Sequence, residues 1–150
     1  MNNLLPDTHG TYILCLQLKT RRTIQIGKLG SFYFNTGFYF YIGSAFGPGG
    51  LHARCGHHLG ISQRPRWHID YLRQYGHLQQ IIYSTEPEHL EHQWATIIST
   101  LDNITLPVTG FGSSDCNCTS HLFFSQKYIL HNRLMTSNPV FKSVKYFEIS

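Results

Sequence analysis

Residues 47–50 are Gly-Pro-Gly-Gly, a run that interrupts both helices and strands. Before this run, short segments rich in aromatic and β-branched residues alternate with turns, which is typical of strands. After it, apolar residues recur at helical spacing, as at Leu51, Cys55 and Leu59. This grouping of strands and helices favours an α+β fold over a doubly wound fold, in which strands and helices would alternate.

The same patterns predict the individual elements. Strands are expected over residues 11–18, 23–26, 31–34, 38–42, 77–84 and 121–125, and the first four suggest an antiparallel meander. Helices are expected over residues 51–59, 67–75 and 86–101. In the last of these, Pro87 suits the first turn, and an apolar stripe follows at Leu90, Trp94, Ile97, Ile98 and Leu101. The expected architecture is a small antiparallel β-sheet flanked by helices.

The length of the chain limits its domain organisation. The chain has 150 residues, enough for one compact domain and too few for two ordinary ones. We predict one domain over residues 1–125. Residues 126–150 have weak periodicity and are expected to form a C-terminal extension packed on the same domain.

Charge and hydropathy indicate the kind of partner. No Asp or Glu occurs between Asp7 and Asp70, and the cations of that stretch are Lys19, Arg21, Arg22, Lys28, Arg54, Arg64 and Arg66. Such a stretch favours a polyanionic partner, although chance clustering in a small basic protein would look the same. The N-terminus lacks the pattern of a signal peptide, and no apolar run approaches the length of a membrane span. We therefore expect a cytoplasmic protein with no membrane partner.

Three features carry candidate chemistry. Gly10-Thr11-Tyr12 begins the first predicted strand, and Tyr41-Ile42-Gly43 ends the fourth. Arg54 and His58 are four residues apart, so they share one face of the first helix. Glu91 lies beside the apolar stripe of the last helix. Together these groups suit phosphodiester hydrolysis, which needs a positioned water, a base and charge stabilisation at phosphorus.

In this order, the groups resemble the GIY-YIG endonucleases, and the chain is most similar to their Uri-type, uncharacterised subgroup. The matching runs are 41–51 (YIGSAFGPGGL), 67–72 (WHIDYL) and 110–122 (GFGSSDCNCTSHL), within a resemblance that covers about residues 10–124. The family implies a three-stranded antiparallel sheet flanked by helices. It also implies one divalent metal ion, held by a single carboxylate, and DNA as the substrate, with RNA as an alternative.

The resemblance also implies roles for single residues. Tyr12 and Tyr41 match the motif tyrosines that assist the attacking water, and His58 matches a position that relays a proton or activates a tyrosine. Arg54 matches the arginine that holds the scissile phosphate. Glu91 matches the ligand of Mg²⁺ or Mn²⁺. The residues expected to contact the nucleic acid are Gly43, Ser44, Arg64 and Arg66.

The sequence departs from the family pattern at several points. An extra hairpin over residues 23–34 separates the two motifs. Ser44 stands where some relatives have lysine, so a tyrosine or histidine would have to serve as the base. Many relatives have an asparagine after the glutamate helix; Asn103 is its counterpart by order, and Ser114 or Asp115 could replace it in space. No domain for sequence-specific binding is evident, so weak sequence preference, a homodimer or a repair-protein partner is expected.

Two further readings remain open. Cys116, Cys118 and His121 could form part of a Zn²⁺ site, although a second ligand pair is missing and a tight hydrogen-bonded loop is the alternative. The protein would then be a zinc-stabilised interaction domain. It could also be a nucleic-acid-binding module with weak or no catalysis. His68 and Asp70 lie in the 67–72 run, and support of His58 is the only role that suggests itself for them.

Overall fold

The computed structural model describes residues 5–112, 120–130, 138–141 and 143–149. Seven strands and three α-helices lie in this part of the chain, with short 3₁₀ helices at Gly27–Leu29 and Pro139–Phe141. The strands are β1 Gly10–Leu18, β2 Arg22–Ile26, β3 Gly30–Phe34, β4 Gly37–Ala45, β5 His77–Ser84, β6 Leu122–Ser125 and β7 Lys145–Glu148. The helices are α1 Gly50–Leu59, α2 His68–Arg73 and α3 Glu91–Ser99.

Five strands form one antiparallel sheet in the order β6-β4-β1-β5-β7. β1 lies at its centre, which explains why residues 11–18 are almost continuously apolar. The α+β fold with a small antiparallel sheet, flanking helices and an extra hairpin is confirmed. The sheet has two more strands than the resemblance implied, because β6 and β7 extend it at both edges.

The predicted meander is wrong. β2 and β3 pair with each other in a separate two-stranded sheet, and β1 pairs instead with β4. The physical reason is burial, because the hairpin inserts Ile24, Ile26 and Phe34 into a core that also contains Ile69 and Leu72 of α2. An isolated hairpin would be marginal in water, and packing against the helix stabilises this one.

Alternation along the strands gives the main sheet two apolar faces. Tyr12 and Leu14 of β1 point into the core that contains α1, α2 and the hairpin. Ile13 and Cys15 point to the opposite face, where Trp94 of α3 is buried. Helices on both faces therefore hold the central strands and fix the positions of the strand ends, where a site can form.

The glycine-rich run sets the start of α1. Gly49 and Gly50 have φ values of 83° and 57°, and a Cβ atom at Gly50 would lie 2.3 Å from the carbonyl oxygen of Thr8. The first helical N–H groups are satisfied by the N-terminal segment, because Leu51 donates to Thr8 and His52 donates to Pro6. The chain thus turns tightly from β4 into α1 and keeps Ser44 close to the helix.

The third helix is shorter than predicted. It begins at Glu91 rather than at residue 86, and residues 86–90 do not form helix. Side-chain hydrogen bonds hold this segment to the sheet: the N–H of Glu86 donates to Ser84 Oγ, and that of Leu90 donates to Thr11 Oγ1. Glu91 therefore lies in the first turn of the helix, where a carboxylate interacts favourably with the helix dipole.

The described part of the C-terminal segment contributes to the same sheet and core. β7 pairs with β5, and Leu130 and Phe141 are buried beside α3. None of the helices in the described ranges is long and apolar enough to cross a membrane.

Candidate functional site

The two tyrosine motifs lie side by side on the central strands. In the β1–β4 register Tyr12 is opposite Gly43, and Leu14 is opposite Tyr41. A Cβ atom at Gly43 would lie 2.4 Å from the Tyr12 ring, and one at Gly10 would lie 2.1 Å from the carbonyl oxygen of Ser84. Both motif glycines are therefore explained by close approach of a neighbour.

A polar cleft of about 280 Å³ opens beside these strands. β4, α1, α2 and α3 all contribute to its lining, together with the loop segments that flank α2 and β6. The lining residues are Tyr41, Gly43, Ser44, Arg54, Arg66, Trp67, His68, Glu91, His92, Gly112 and His121. The cleft therefore brings together most of the candidate residues, from five separate parts of the sequence.

Among the residues predicted to catalyse or to contact nucleic acid, Tyr12, His58 and Arg64 do not line the cleft. Tyr12 and His58 are buried. Arg64 is exposed on the loop between α1 and α2, where its N–H donates to Ser62 Oγ. Arg64 thus remains a candidate only for contacts beyond the cleft.

Arg54 is held in place by two contacts. Its guanidinium donates to the carbonyl oxygen of Ser44 over 3.0 Å and lies 4.5 Å from the centre of the Trp67 ring. Arg66 lies over the same ring at 5.2 Å. Two guanidinium groups therefore flank one indole, in an arrangement that suits an anionic group.

Tyr12 and His58 form a buried pair between the sheet and α1. The Tyr12 hydroxyl lies 2.9 Å from His58 Nε2. Burial raises the pKa of Tyr12 well above its usual value, and Tyr41 and Cys55 raise it further. Burial also lowers the pKa of His58 to about 3, although Asp70 acts in the opposite direction. The pair is therefore neutral and serves to hold the tyrosine in place.

Tyr41 is the motif tyrosine that faces the cleft. Its ring packs edge-on against Phe111, and a Cβ atom at Gly112 would lie 2.9 Å from it. Burial raises the pKa of Tyr41, while the charge of Arg54 opposes this shift. Tyr41 therefore enters the cleft as a protonated phenol that can donate a hydrogen bond.

Glu91 is the only carboxylate among the described residues that line the cleft. It is 23% exposed, and His92 Nε2 and His121 Nδ1 lie 3.9 and 4.0 Å from its oxygens. Burial lowers the pKa of His121, although Glu91 acts in the opposite direction. A partly exposed carboxylate of this kind can hold a divalent cation that keeps several of its waters.

Asp70 organises one wall of the cleft, a role that the sequence analysis did not assign. It is 2% exposed, and its Oδ2 accepts hydrogen bonds from the N–H groups of Arg66 and Trp67 over 2.8 and 3.1 Å. Its Oδ1 lies 2.9 Å from His57 Nε2. Burial raises the pKa of Asp70, but these hydrogen bonds outweigh burial and hold it below its usual value. The ionised carboxylate thus fixes the backbone of Arg66 and Trp67.

Like Asp70, His68 makes a contact that the sequence alone does not predict, and it fixes the loop before β6. Its Nδ1 accepts a hydrogen bond of 2.9 Å from the N–H of Gly112. Burial lowers the pKa of His68, so the ring is neutral and its proton lies on Nε2. The only sequence signal for either residue was the 67–72 run, because their partners lie far away in the chain.

Of the remaining candidates, His121 and Asn103 lie in the described part of the chain. Cys116, Cys118, Ser114 and Asp115 lie outside the described residues, whereas His121 lines the cleft beside Glu91. Asn103 has a φ of 67° and lies in a separate depression with Phe124 and Lys127. Within the described ranges, therefore, no asparagine lines the cleft.

The fold and the cleft define an α+β protein with a polar site whose described lining contains two arginines and one carboxylate. The chain matches the model of a domain of unknown function, DUF123, over residues 11–141. This match covers most of the chain and all the residues that line the cleft, and the protein therefore belongs to the DUF123 family. Neither curated proteins nor solved structures give a significant match.

Proposed function

We propose that the protein is a metal-dependent endonuclease of the GIY-YIG type that hydrolyses phosphodiester bonds in nucleic acid, with DNA as the substrate. The observation that carries the proposal is the convergence of Arg54, Tyr41 and Glu91 on one cleft. These residues come from α1, β4 and α3, and supply a phosphate-binding group, a hydroxyl and a metal-binding carboxylate. Gly43 and Ser44 form part of the same wall and let the nucleic-acid backbone come close.

Arg54 and Arg66 provide the phosphate-binding side of the cleft. A guanidinium has five N–H donors, and the hydrogen bond of Arg54 to the carbonyl oxygen of Ser44 uses one of them. The contact with Trp67 limits its movement, so little entropy is lost when it binds a phosphate. We assign Arg54 to the scissile phosphate and Arg66 to a neighbouring one.

Glu91 provides the metal-binding side. Its partial exposure leaves room for the waters that Mg²⁺ or Mn²⁺ retains, so the residue fits a one-carboxylate site. When bound, such an ion supplies charge stabilisation at the phosphate. The same cleft lining contains the cationic side chains of Arg54 and Arg66, which gives a phosphate both kinds of partner.

We assign the positioning of the attacking water to Tyr41, because Tyr12 does not line the cleft. Tyr12, held by His58, packs against Gly43 and keeps the end of β4 in place. Because Nδ1 of the neutral His68 already accepts a hydrogen bond from Gly112, its Nε2–H is available as a donor. It can stabilise an oxygen of the phosphate group.

A binding module that holds nucleic acid without cutting it is the second candidate function. The observation that favours it is the protonation of the buried groups: burial raises the pKa of Tyr12 and Tyr41 and lowers that of His58. Ser44 also stands in place of a lysine. None of these described residues is therefore an evident strong base for the attacking water.

A cleavage assay separates the two functions. Labelled single-stranded DNA, duplex DNA and RNA are incubated with the protein in Mg²⁺, in Mn²⁺ and in chelator, and binding is measured in parallel. The proposal predicts cleavage of DNA that needs metal and stops in chelator. Binding without cleavage would support the binding module, and the absence of both would reject both functions.

A further inference from the structure

A cluster of three metal-binding side chains lies behind the arginine side of the cleft. His57 and His58 come from α1, and Asp70 comes from α2. His57 Nε2 lies 2.9 Å from Asp70 Oδ1, and His58 Nδ1 lies 4.0 Å from the same oxygen. One donor atom from each residue lies within 4.8 Å of the other two.

One atom of this cluster has no hydrogen-bond partner among the described residues. His58 is 1% exposed, and its Nδ1 makes no hydrogen bond. The other ring nitrogen is bonded to Tyr12, so the ring cannot turn to satisfy both atoms without losing that bond. A buried polar atom without a partner costs stability, and Nδ1 faces Asp70 and His57 rather than water.

We propose that His57 Nε2, His58 Nδ1 and Asp70 Oδ1 bind a Zn²⁺ ion, with water as the fourth ligand. Two imidazoles and a carboxylate are a ligand set that suits zinc. In a tetrahedral site, neighbouring ligand atoms lie roughly 3.4 Å apart. The two distances to Asp70 Oδ1 therefore need to change by only about half an ångström each, one opening and one closing.

The groups around the cluster already form the hydrogen bonds that a metal site needs. The Tyr12 hydroxyl lies at His58 Nε2, the ring nitrogen that does not bind the metal. The N–H groups of Arg66 and Trp67 donate to Asp70 Oδ2, the carboxylate oxygen that does not bind the metal. Such outer contacts orient the ligands of natural metal sites. His57 is 26% exposed and lines a shallow depression with Ala53, which gives the ion a path to the site.

The surrounding charges limit the affinity for the metal ion. The positive charges of Arg54 and Arg73 act on His58, and Asp70 is the one carboxylate of the cluster. We assign the ion a structural role, because its ligands join α1 to α2 and to the Arg66–Trp67 wall of the cleft. It also fixes the proton of His58 on Nε2, so that His58 donates to the oxygen of Tyr12.

Cobalt is the probe that tests this site, because tetrahedral Co²⁺ absorbs visible light and Zn²⁺ displaces it. Metal-free protein is titrated with Co²⁺ in the absence of nucleic acid. We expect one equivalent bound with a tetrahedral spectrum that Zn²⁺ removes. His57→Gln, at a partly exposed position, should weaken binding by at least about tenfold, and Asp70→Asn should do the same.

Three control proteins locate the ion. His52→Gln changes an exposed histidine of the same helix, Glu91→Gln removes the carboxylate of the cleft, and Cys116→Ser/Cys118→Ser removes the thiolates of the 110–122 run. The proposal requires normal cobalt binding in all three. It is wrong if the wild type binds no cobalt, if His57→Gln binds normally, or if a sulfur-to-cobalt band appears and is lost with the cysteines. Because DNA is absent, neither result depends on the nuclease proposal.

Discussion

At the scale of single residues, the buried hydroxyl of Tyr12 shows how one motif residue supports the cleft without entering it. Tyr12 is fully enclosed between Gly43 and His58, and its hydroxyl lies 2.9 Å from His58 Nε2. A neutral histidine in this position stabilises the tyrosine, and the tyrosine in turn satisfies one of the two ring nitrogens. Loss of either partner leaves a buried polar group unpaired.

Tyr12→Phe should therefore destabilise the protein by about 1–3 kcal/mol, because both nitrogens of His58 would lack a hydrogen-bond partner. Urea unfolding of metal-free protein measures the change. Tyr33→Phe is the matched control, since Tyr33 is exposed and its replacement should change the free energy of unfolding by less than about 0.5 kcal/mol. Equal effects of the two substitutions would contradict the assigned contact.

At the scale of elements, the close contact between β1 and β4 determines the shape of the cleft wall. Gly43 admits the Tyr12 ring, which is itself pinned by His58 and therefore cannot easily move aside. The contact leaves Ser44 free to accept the hydrogen bond from Arg54. Packing between two strands thus controls the position of a residue on α1.

Gly43→Ala should destabilise the protein by about 1–3 kcal/mol, because the added methyl group overlaps the Tyr12 ring. Gly56→Ala is the matched control on the exposed side of α1, where a Cβ atom meets nothing within 4 Å. That change should stabilise the protein by about 0.5–1 kcal/mol through helix propensity. Thermal or urea unfolding checks both signs, and a neutral Gly43→Ala would refute the close contact.

The comparison of sequence with structure depends on how local each signal is. The strand over residues 77–84 agrees with β5 at both ends because a short apolar segment between flanking turns defines it. The start of α3 could not be predicted, since the hydrogen bond of Leu90 to Thr11 joins residues 79 positions apart. The same holds for the hairpin, whose burial against α2 is a tertiary effect.

The candidate site also contains residues that local sequence signals predict and residues that only tertiary packing brings in. The resemblance placed Tyr41, Arg54 and Glu91 together, and the structure brings all three to one cleft. Neither Trp67 nor Asp70 could be assigned from the sequence. Their roles arise only when α1 packs beside α2 and brings Arg54 over the indole and His57 to the carboxylate.

At the scale of the whole molecule, the cations that cluster in the sequence do not form one surface. β1 runs from Gly10 to Leu18, roughly 27 Å for an extended strand, and Lys19, Arg21 and Arg22 follow its far end. Arg54 and Arg66 instead line the cleft near the other end. The electrostatic attraction for a phosphate is therefore concentrated at the cleft by two arginines.

Nucleic-acid binding should accordingly weaken as salt rises, because phosphate contacts release counterions. Arg66→Ala should reduce the slope of log K against log salt concentration by about 1, since one phosphate contact is lost. Arg21→Ala, an exposed arginine outside the cleft, is the control and should leave the slope unchanged. Fluorescence anisotropy over a salt series checks this, and equal slopes for Arg66→Ala and wild type would place the binding surface elsewhere.

The most direct test of the proposed nuclease compares two neighbouring glutamates of similar charge. Glu91 lines the cleft, whereas Glu88 is exposed three residues earlier and does not line it. In metal-dependent cleavage of labelled DNA, Glu91→Gln should lower the rate by at least about a hundredfold and leave binding intact, while Glu88→Gln should cut like the wild type. Normal cleavage by Glu91→Gln would contradict the assignment of the metal-binding carboxylate and, with it, the mechanism proposed for the cleft.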